Sequence, residues 1–437
     1  VHRAAARVLL ASLLLAPRIA RADEAEAPAP AIEEPAAAPS KNEPAPGPVV
    51  QPPNMAATPP PTAPSAGAEN GKTELRVRPT GYVEVFYSYN LNRPSNGITN
   101  YRGFDNRHSA ITLSNVALGA TWDYGPVGGK VMLQVGSTPA TYYSAEPALA
   151  GAGGANATGA DLWRYVQEAY LSYKLPVGRG IVLQAGLVAS PIGPEAFAVK
   201  DNWTWSRSNL FFGFPYYHLG VRATYELSDS WSATLGVFNG WNSVVDNNEA
   251  KSVQTNVTYR RGESFTINAL YFGGIERPAG APEGEYWRHD FDVVAQVQAA
   301  PALAFIAEAN AGFEPTRFGT AAWVAGALSG RVRAAPWLYF AARGDRFHEV
   351  LARERGGAGR TSTPLFWNGV EWVTSATATI DFRPHESISF RFEYRHDVAE
   401  APLYFGRNVA GDGSTALPFL PNARTQDTLL VGATAWF

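Results

Sequence analysis

The sequence predicts an all-β fold: a transmembrane antiparallel up-and-down β-barrel of about 16 strands behind a disordered N-terminal tail. Three observations carry that expectation. Short segments alternate apolar and polar residues at a period of two. The connections between them are alternately short and long. The last segment stops on aromatics, Thr434-Ala435-Trp436-Phe437.

Composition narrows the alternatives. Only 17% of the 437 residues are charged, while Gly (41), Trp (12), Tyr (19) and Phe (22) are abundant. Such a balance suits many short strands and turns better than helical bundles. The absence of Cys excludes a disulfide framework and thiolate metal sites. It also suits a chain that crosses an oxidising periplasm unfolded. A net charge of −3 gives no reason to expect nucleic acid as a partner.

Residues 1–22 read as a secretory signal peptide. His2, Arg3 and Arg7 form a basic start, Val8 to Ala16 an apolar stretch, and Ala20-Arg21-Ala22 a small-x-small cleavage site. That apolar stretch is too short to span a bilayer, which needs about 20 residues. Residues 23–74 are rich in Pro, Ala and acidic residues, as in Pro59-Pro60-Pro61. They offer no core and are expected to form a disordered periplasmic tail. The barrel is expected over 75–437, where no apolar run is long enough for a transmembrane helix.

Four segments show the alternation best. In Tyr82 to Asn90, Val83, Val85, Tyr87 and Tyr89 face one way, and Glu84, Ser88 and Asn90 the other. Segments near 181–190 and 251–261 repeat the pattern with Gln184, Gln254 and Asn256 on the polar side. In 387–397, Ile388, Phe390, Phe392 and Tyr394 alternate with Arg391, Glu393, Arg395 and Asp397. A period of two marks a strand with one apolar face. A soluble sandwich would give the same period, so the connections must decide.

Short turns fall at Gly125-Pro126, 177–180, 228–230, Gly262-Glu263, Ala300-Pro301, 334–336 and 384–386. Longer connections fall near 91–108, 138–162, 191–217, 241–250, 274–287, 314–319, 349–369 and 398–424. Seven short turns and eight longer connections make 16 strands with both termini on one side. Short periplasmic turns and long outer loops are the outer-membrane pattern. Trp122, Tyr124, Trp163, Tyr165, Trp231, Trp241, Trp337 and Trp372 sit near the expected strand ends, where interfacial aromatics belong. The terminal strand, Leu429 to Phe437, resembles an insertion signal read by the barrel-assembly machinery. Lipid cannot satisfy an open sheet edge, so the sheet must close.

Several stretches in one order resemble the β-barrel porin-2 family of bacterial outer-membrane proteins. Gln184 to Glu195 resembles its strand ending in a Pro-x-Gly-x-Glu turn. Ser206 to Phe211, then Pro215 to Val221, resembles its central aromatic loop and following strand. Asn239-Gly240-Trp241-Asn242 with Asp246 to Ser252 is the most specific match, although Asn242 stands where Asp is expected. The resemblance is close over about 190–260, and the strand rhythm extends it over 75–437. It implies a channel in a Gram-negative outer membrane, and it supplies no catalytic or substrate residues to carry over.

No enzyme signature competes. The seven His are scattered without zinc-ligand spacing, and neither a nucleophile elbow nor a P-loop is present. No catalytic residue, metal site or cofactor is expected. The pore-lining candidates are Glu84, Lys130, Glu168, Arg222, Arg343, Asp345, Arg391, Glu393 and Arg395. A charge at membrane depth needs water or a partner. These charges either pair into a structural lumen or set up a transverse field. On the second reading, replacing Arg391 and Arg395 by Gln shifts selectivity toward cations with little change in stability. The connection 191–217 holds too many aromatics for a loop in water. Trp203, Trp205, Arg207, Phe211 and Phe212 are its constriction candidates, packing on the rim or folding inward.

The expected function is passive diffusion of small hydrophilic solutes or ions across the outer membrane. The alternative is a plugged structural or adhesive barrel whose loops bind a partner. Expected partners are outer-membrane lipid, the solutes themselves and the barrel-assembly machinery. An oligomer is compatible with the sequence, which does not specify one.

Overall fold

A computed structural model describes residues 74–149, 157–354 and 361–437. The expected signal peptide and nearly all of the expected tail lie outside the described residues. Sixteen strands follow in chain order: β1 Leu75–Asn90, β2 Ala110–Tyr124, β3 Val127–Val135, β4 Val166–Leu175, β5 Ile181–Ala189, β6 Tyr217–Glu226, β7 Trp231–Phe238 and β8 Ser252–Arg261. Then come β9 Phe265–Ile275, β10 Trp287–Ala300, β11 Leu303–Thr316, β12 Gly319–Ala335, β13 Leu338–Val350, β14 Trp372–His385, β15 Ile388–Ala399 and β16 Thr425–Trp436. Each pairs antiparallel with its chain neighbours, and β1 pairs with β16 to close the barrel. The seam runs from Tyr82 opposite Trp436 to Asn90 opposite Thr428. Phe437 extends it through reciprocal backbone bonds with Gly81.

The period-two pattern dictates which side of the wall each residue takes. In β15, Phe390, Phe392 and Tyr394 are 36%, 50% and 43% exposed on the outer face. On the same strand Arg391, Glu393, Arg395 and Asp397 are at most 4% exposed. Here the apolar side chains are the open ones and the charged ones the covered ones, the inverse of a water-soluble sandwich. That inversion is what lipid outside and a polar lumen inside require.

The short turns are as expected. Gly125 and Gly262 take φ of +60° and +55°, conformations that glycine adopts without steric cost. One connection differs from expectation. The link near 314–319 contains only Arg317 and Phe318, because β11 and β12 run on as a long hairpin to Thr316 and from Gly319. Glu314, Pro315 and Thr316 at the rim end of that hairpin are loop-like in composition but pair as strand. Trp231, Trp337, Tyr124 and Tyr165 are 46–54% exposed at or beside strand ends. Trp163 and Trp241 lie in connections instead; Trp241 packs inward on Phe272 and Phe366. No helix among the described residues is long and apolar enough to cross a membrane.

The long-loop end is braced by buried polar bonds. Arg102, in the connection between β1 and β2, donates Nη1 to Asp397 (3.0 Å), Nη2 to Thr428 (3.0 Å) and Nε to Asp105 (2.9 Å). Arg102→Ala removes the cation from buried Asp105 and leaves Asp397 with Arg395 alone. Breaking such a buried pair costs about 3–5 kcal/mol. The expected result is a lower urea midpoint for the folded, heat-modifiable gel band. An unchanged midpoint would show that this network contributes no net stability.

Candidate functional site: the loop across the bore

The connection 190–216 leaves β5, enters the barrel and returns to β6. Its attachments lie on the facing wall. Eight strands separate β5 from β13, half the circumference of a 16-stranded barrel, so a loop bonded to β13 spans the bore. Its composition explains the entry: Trp203, Trp205, Phe211 and Phe214 are each at most 5% exposed.

Each anchor joins a wall charge to a loop backbone group. Arg391 donates to the carbonyls of Asn202 (2.7 Å), Val199 (2.8 Å) and Thr204 (3.1 Å). Glu393 accepts from the N–H groups of Trp205 (2.5 Å) and Ser206 (2.9 Å). Arg395 donates to Asn209 Oδ1 (3.1 Å) and to the Arg207 carbonyl. On β13, Arg343 reaches Glu195 (2.6 Å), Thr204 Oγ1 (2.7 Å) and the Ser206 carbonyl (2.7 Å). Asp345 accepts from the Asn209 N–H at 3.1 Å. On β1, Glu84 accepts from the Val199 N–H at 2.5 Å. Hydrogen bonds to charged groups contribute about 1.5–3 kcal/mol each, so this set fixes the loop firmly.

Apolar packing completes the seat. Trp205 lies on Phe86, with ring centres 5.9 Å apart, in a buried cluster with Val199 and Leu430. A Cβ added to Gly432 would sit 2.2 Å from the Trp205 ring, so this strand position must lack a side chain. Trp203 packs with Val294, Ala304, Ile306 and Ala341, and Arg331 stacks on its ring at 5.0 Å. Phe211 joins Phe104, Phe197 and Tyr216, while Phe212 meets Trp367 at 5.9 Å. Arg207 folds back on its own loop, bonding the carbonyls of Trp205 (2.7 Å) and Ala196 (3.2 Å).

The nine pore-lining candidates therefore divide. Glu84, Arg343, Asp345, Arg391, Glu393 and Arg395 point inward, but the loop covers them and uses them as anchors. Lys130 and Glu168 pair with each other at 2.7 Å on β3 and β4. Arg222, on β6, bonds Gln184 and no other side chain among the described residues, Nε to Oε1 at 2.6 Å. Sequence reasoning missed Glu195, which brackets the loop by accepting from the Ser208 N–H (2.9 Å) and Arg343. It also missed Asp292, which accepts from the Gly193 N–H at 3.2 Å, and Asp290 and Glu308 beside it. Alternate acidic positions in β10 were the available signal for Asp290 and Asp292.

The family stretches cluster where the loop returns to the wall. Asn242 holds φ +53° and accepts from the Tyr216 N–H, while its carbonyl accepts from Tyr217 Oη at 3.0 Å. Asn tolerates this left-handed conformation better than most residues. A family model described as "Putative beta-barrel porin-2, OmpL-like" matches residues 76–437. The chain belongs to this family. It is an outer-membrane porin, a barrel through which small hydrophilic solutes or ions diffuse passively.

Solved structures share the porin's fold at low identity. OmpT of Vibrio cholerae has a TM-score of 0.53 and 10% identity, covering 85% of this chain and 100% of its own. The outer membrane channel DcaP of Acinetobacter baumannii has a TM-score of 0.53 and 12% identity, covering 83% and 97%. The anion-selective porin from Comamonas acidovorans has a TM-score of 0.52 and 9% identity, covering 83% and 100%. No curated protein matches the porin's sequence.

Outside the membrane-spanning strands, one carboxylate ties two rim connections of the porin together. Glu283 accepts from the Thr363 N–H (3.0 Å) and hydroxyl (2.7 Å) and faces Arg277 at 3.3 Å. Burial alone would raise its pKa; the Thr363 bonds and Arg277 outweigh burial and hold it below the usual carboxylate value. The folded state then binds fewer protons than the unfolded one. The stabilisation is present above the ordinary carboxylate pKa and is lost as pH falls through the lowered value. The Thr363 amide is expected to exchange more slowly in the wild type than in Glu283→Gln at neutral pH. That difference should vanish in acid; a pH-independent difference would contradict the assignment.

Proposed function

We propose that solutes pass beside the 190–216 loop, along the inner wall of β5–β9, without chemical change. The observation that supports this is the one-sided anchoring of the loop. All its charged attachments go to β1, β10, β13 and β15, leaving the inner face of β5–β9 free of them. That face carries Gln184, Arg222, Thr224, Thr234, Gln254, Asn256 and Thr258, groups that hydrogen-bond water and hydrophilic solutes alike. Such a lining suits passive diffusion and offers no nucleophile–base pair for catalysis.

The same reading places the long loops outside, the short turns and the N-terminal tail in the periplasm, and lipid on the apolar face. The strand running into Phe437 fits recognition by the barrel-assembly machinery. OmpT of Vibrio cholerae is described in a trimer form, and we extend self-association to this porin only as a proposal. Planar-bilayer recording on the purified barrel tests the pore. Discrete conductance steps in potassium chloride, with swelling of liposomes in a small sugar, are expected. A folded barrel that gives neither would favour the plugged, structural alternative.

A further inference from the structure

One row of inward residues crosses the wall to which the loop makes no charged attachment. Gln184 on β5 lies opposite Arg222 on β6, Arg222 opposite Gly236 on β7, and Gly236 opposite Gln254 on β8. The missing side chain at Gly236 leaves Arg222 and Gln254 flanking a gap about 10 Å wide between Cα atoms, two inter-strand spacings. The Phe238 ring lies over Gly236, 2.5 Å from where a Cβ would sit, and takes up the space directly above the glycine. Beside the row lies a cleft of about 30 Å³, lined by Gln184, Arg222, Gln254, Asn256 and Pro191 of the loop. A space of that size holds about two waters, or the two oxygens of one carboxylate.

Its polar groups are unusually unmatched. Gln184 Oε1 accepts from Arg222, which leaves the Gln184 amide Nε2 without a well-formed hydrogen bond among the described residues. Both amide atoms of Gln254 lack a hydrogen-bond partner among the described residues, although the residue is only 1% exposed. Arg222 is 7% exposed, and no carboxylate among the described residues lies within ion-pair distance of it. Glu168, the acid on the neighbouring β4, is already committed to Lys130 at 2.7 Å. Glu226 and Arg260, of opposite sign, line the far end of the cleft. Unmatched buried donors and an uncompensated guanidinium are destabilising unless something meets them. A planar two-oxygen anion matches the fork of a guanidinium, and flanking amide N–H groups add to its hold.

We propose that Arg222, Gln184 and Gln254 form a binding subsite for the carboxylate head of a small organic acid crossing the pore. The proposal rests on the pore reading for its biological role, but binding can be measured without conduction. Val182 and Pro191, which also line the cleft, are the apolar contacts for a short alkyl tail. A tetrahedral oxyanion fits less well, because its four oxygens exceed the room of a cleft of about 30 Å³.

Titration calorimetry of propionate into the purified, folded barrel tests the subsite. Saturable binding is expected for the wild type. Arg222→Gln should weaken it at least about tenfold, equivalent to about 1.4 kcal/mol. Gln254→Leu, which keeps the charge, should weaken it by less. Heat-modifiable migration confirms that each variant is folded. Inorganic phosphate should bind more weakly than propionate; equal or tighter phosphate binding would overturn the carboxylate assignment. Bilayer recording separates the two readings. Propionate should lower the chloride current of the wild type saturably and spare that of Arg222→Gln. Saturable heat in a barrel that never conducts would support the subsite and remove the pore. No saturable propionate heat in the wild type, or heat unchanged in Arg222→Gln, would overturn the subsite.

Discussion

Replacing Arg391 and Arg395 together by Gln is expected to raise single-channel conductance several-fold while the barrel still folds. The sequence alone led to a milder expectation, a shift of selectivity with the pore otherwise intact. Burial changes the magnitude. Both side chains are at most 1% exposed, and between them they bond five acceptors on the loop. At about 1.5–3 kcal/mol for each charge-assisted bond, their combined loss exceeds what the apolar seat and the remaining anchors offset, and the loop leaves the wall. Gln is shorter and uncharged, so Asp381 and Asp397 each lose one of two cations, at 3.4 and 2.7 Å, and keep Arg383 and Arg102. The wall strands keep their backbone ladders, and heat-modifiable migration should persist. Conductance equal to the wild type in a folded double mutant would show that these arginines do not hold the constriction.

Gly432→Leu is expected to have a comparable effect without removing a single polar group. Gly432 faces inward on β16, and a Cβ there would lie 2.2 Å from the Trp205 ring. A Leu cannot coexist with the indole in its seat against Phe86 and Val199. Overpacking of this kind costs about 1–3 kcal/mol when neighbours can shift, and the loop shifts more easily than the closed sheet. The expected readout is larger, noisier current together with a red-shifted tryptophan emission. Gly432→Ala should show the same direction in smaller measure. A quiet, wild-type channel in Gly432→Leu would place Trp205 elsewhere.

The barrel was legible in the sequence because its determinants are local. Alternation in residues such as Phe390 to Asp397 reports the two faces of a strand directly, and turn glycines such as Gly125 punctuate it. The connection Arg317-Phe318 is shorter than the sequence suggests, because Glu314, Pro315 and Thr316 before it have a loop-like composition yet extend β11. The candidate site was half legible. Parity put Arg391, Glu393 and Arg395 inside, and aromatic density marked the connection around Trp203 and Trp205. That the two meet could not be read, since their contacts join positions almost 190 residues apart, as in Glu393 with Trp205. Nor does a glycine such as Gly432 announce that its empty side holds an indole. The same limit hid Asp292 under Gly193 and the row formed by Gln184, Arg222 and Gln254.

The central claim is that the 190–216 loop lies across the bore against the wall opposite its roots. Ser206 Oγ on the loop and Thr377 Oγ1 on β14 bond the same Arg343 nitrogen, at 3.4 and 3.3 Å. Cys at both positions would stand within reach of a short bifunctional thiol reagent, and the chain has no other Cys to confuse the result. In the folded double variant Ser206→Cys/Thr377→Cys, the account predicts intramolecular bridging, read by mass spectrometry, in barrels that retain heat-modifiable migration. Modification of both thiols without a bridge in the folded barrel would contradict it.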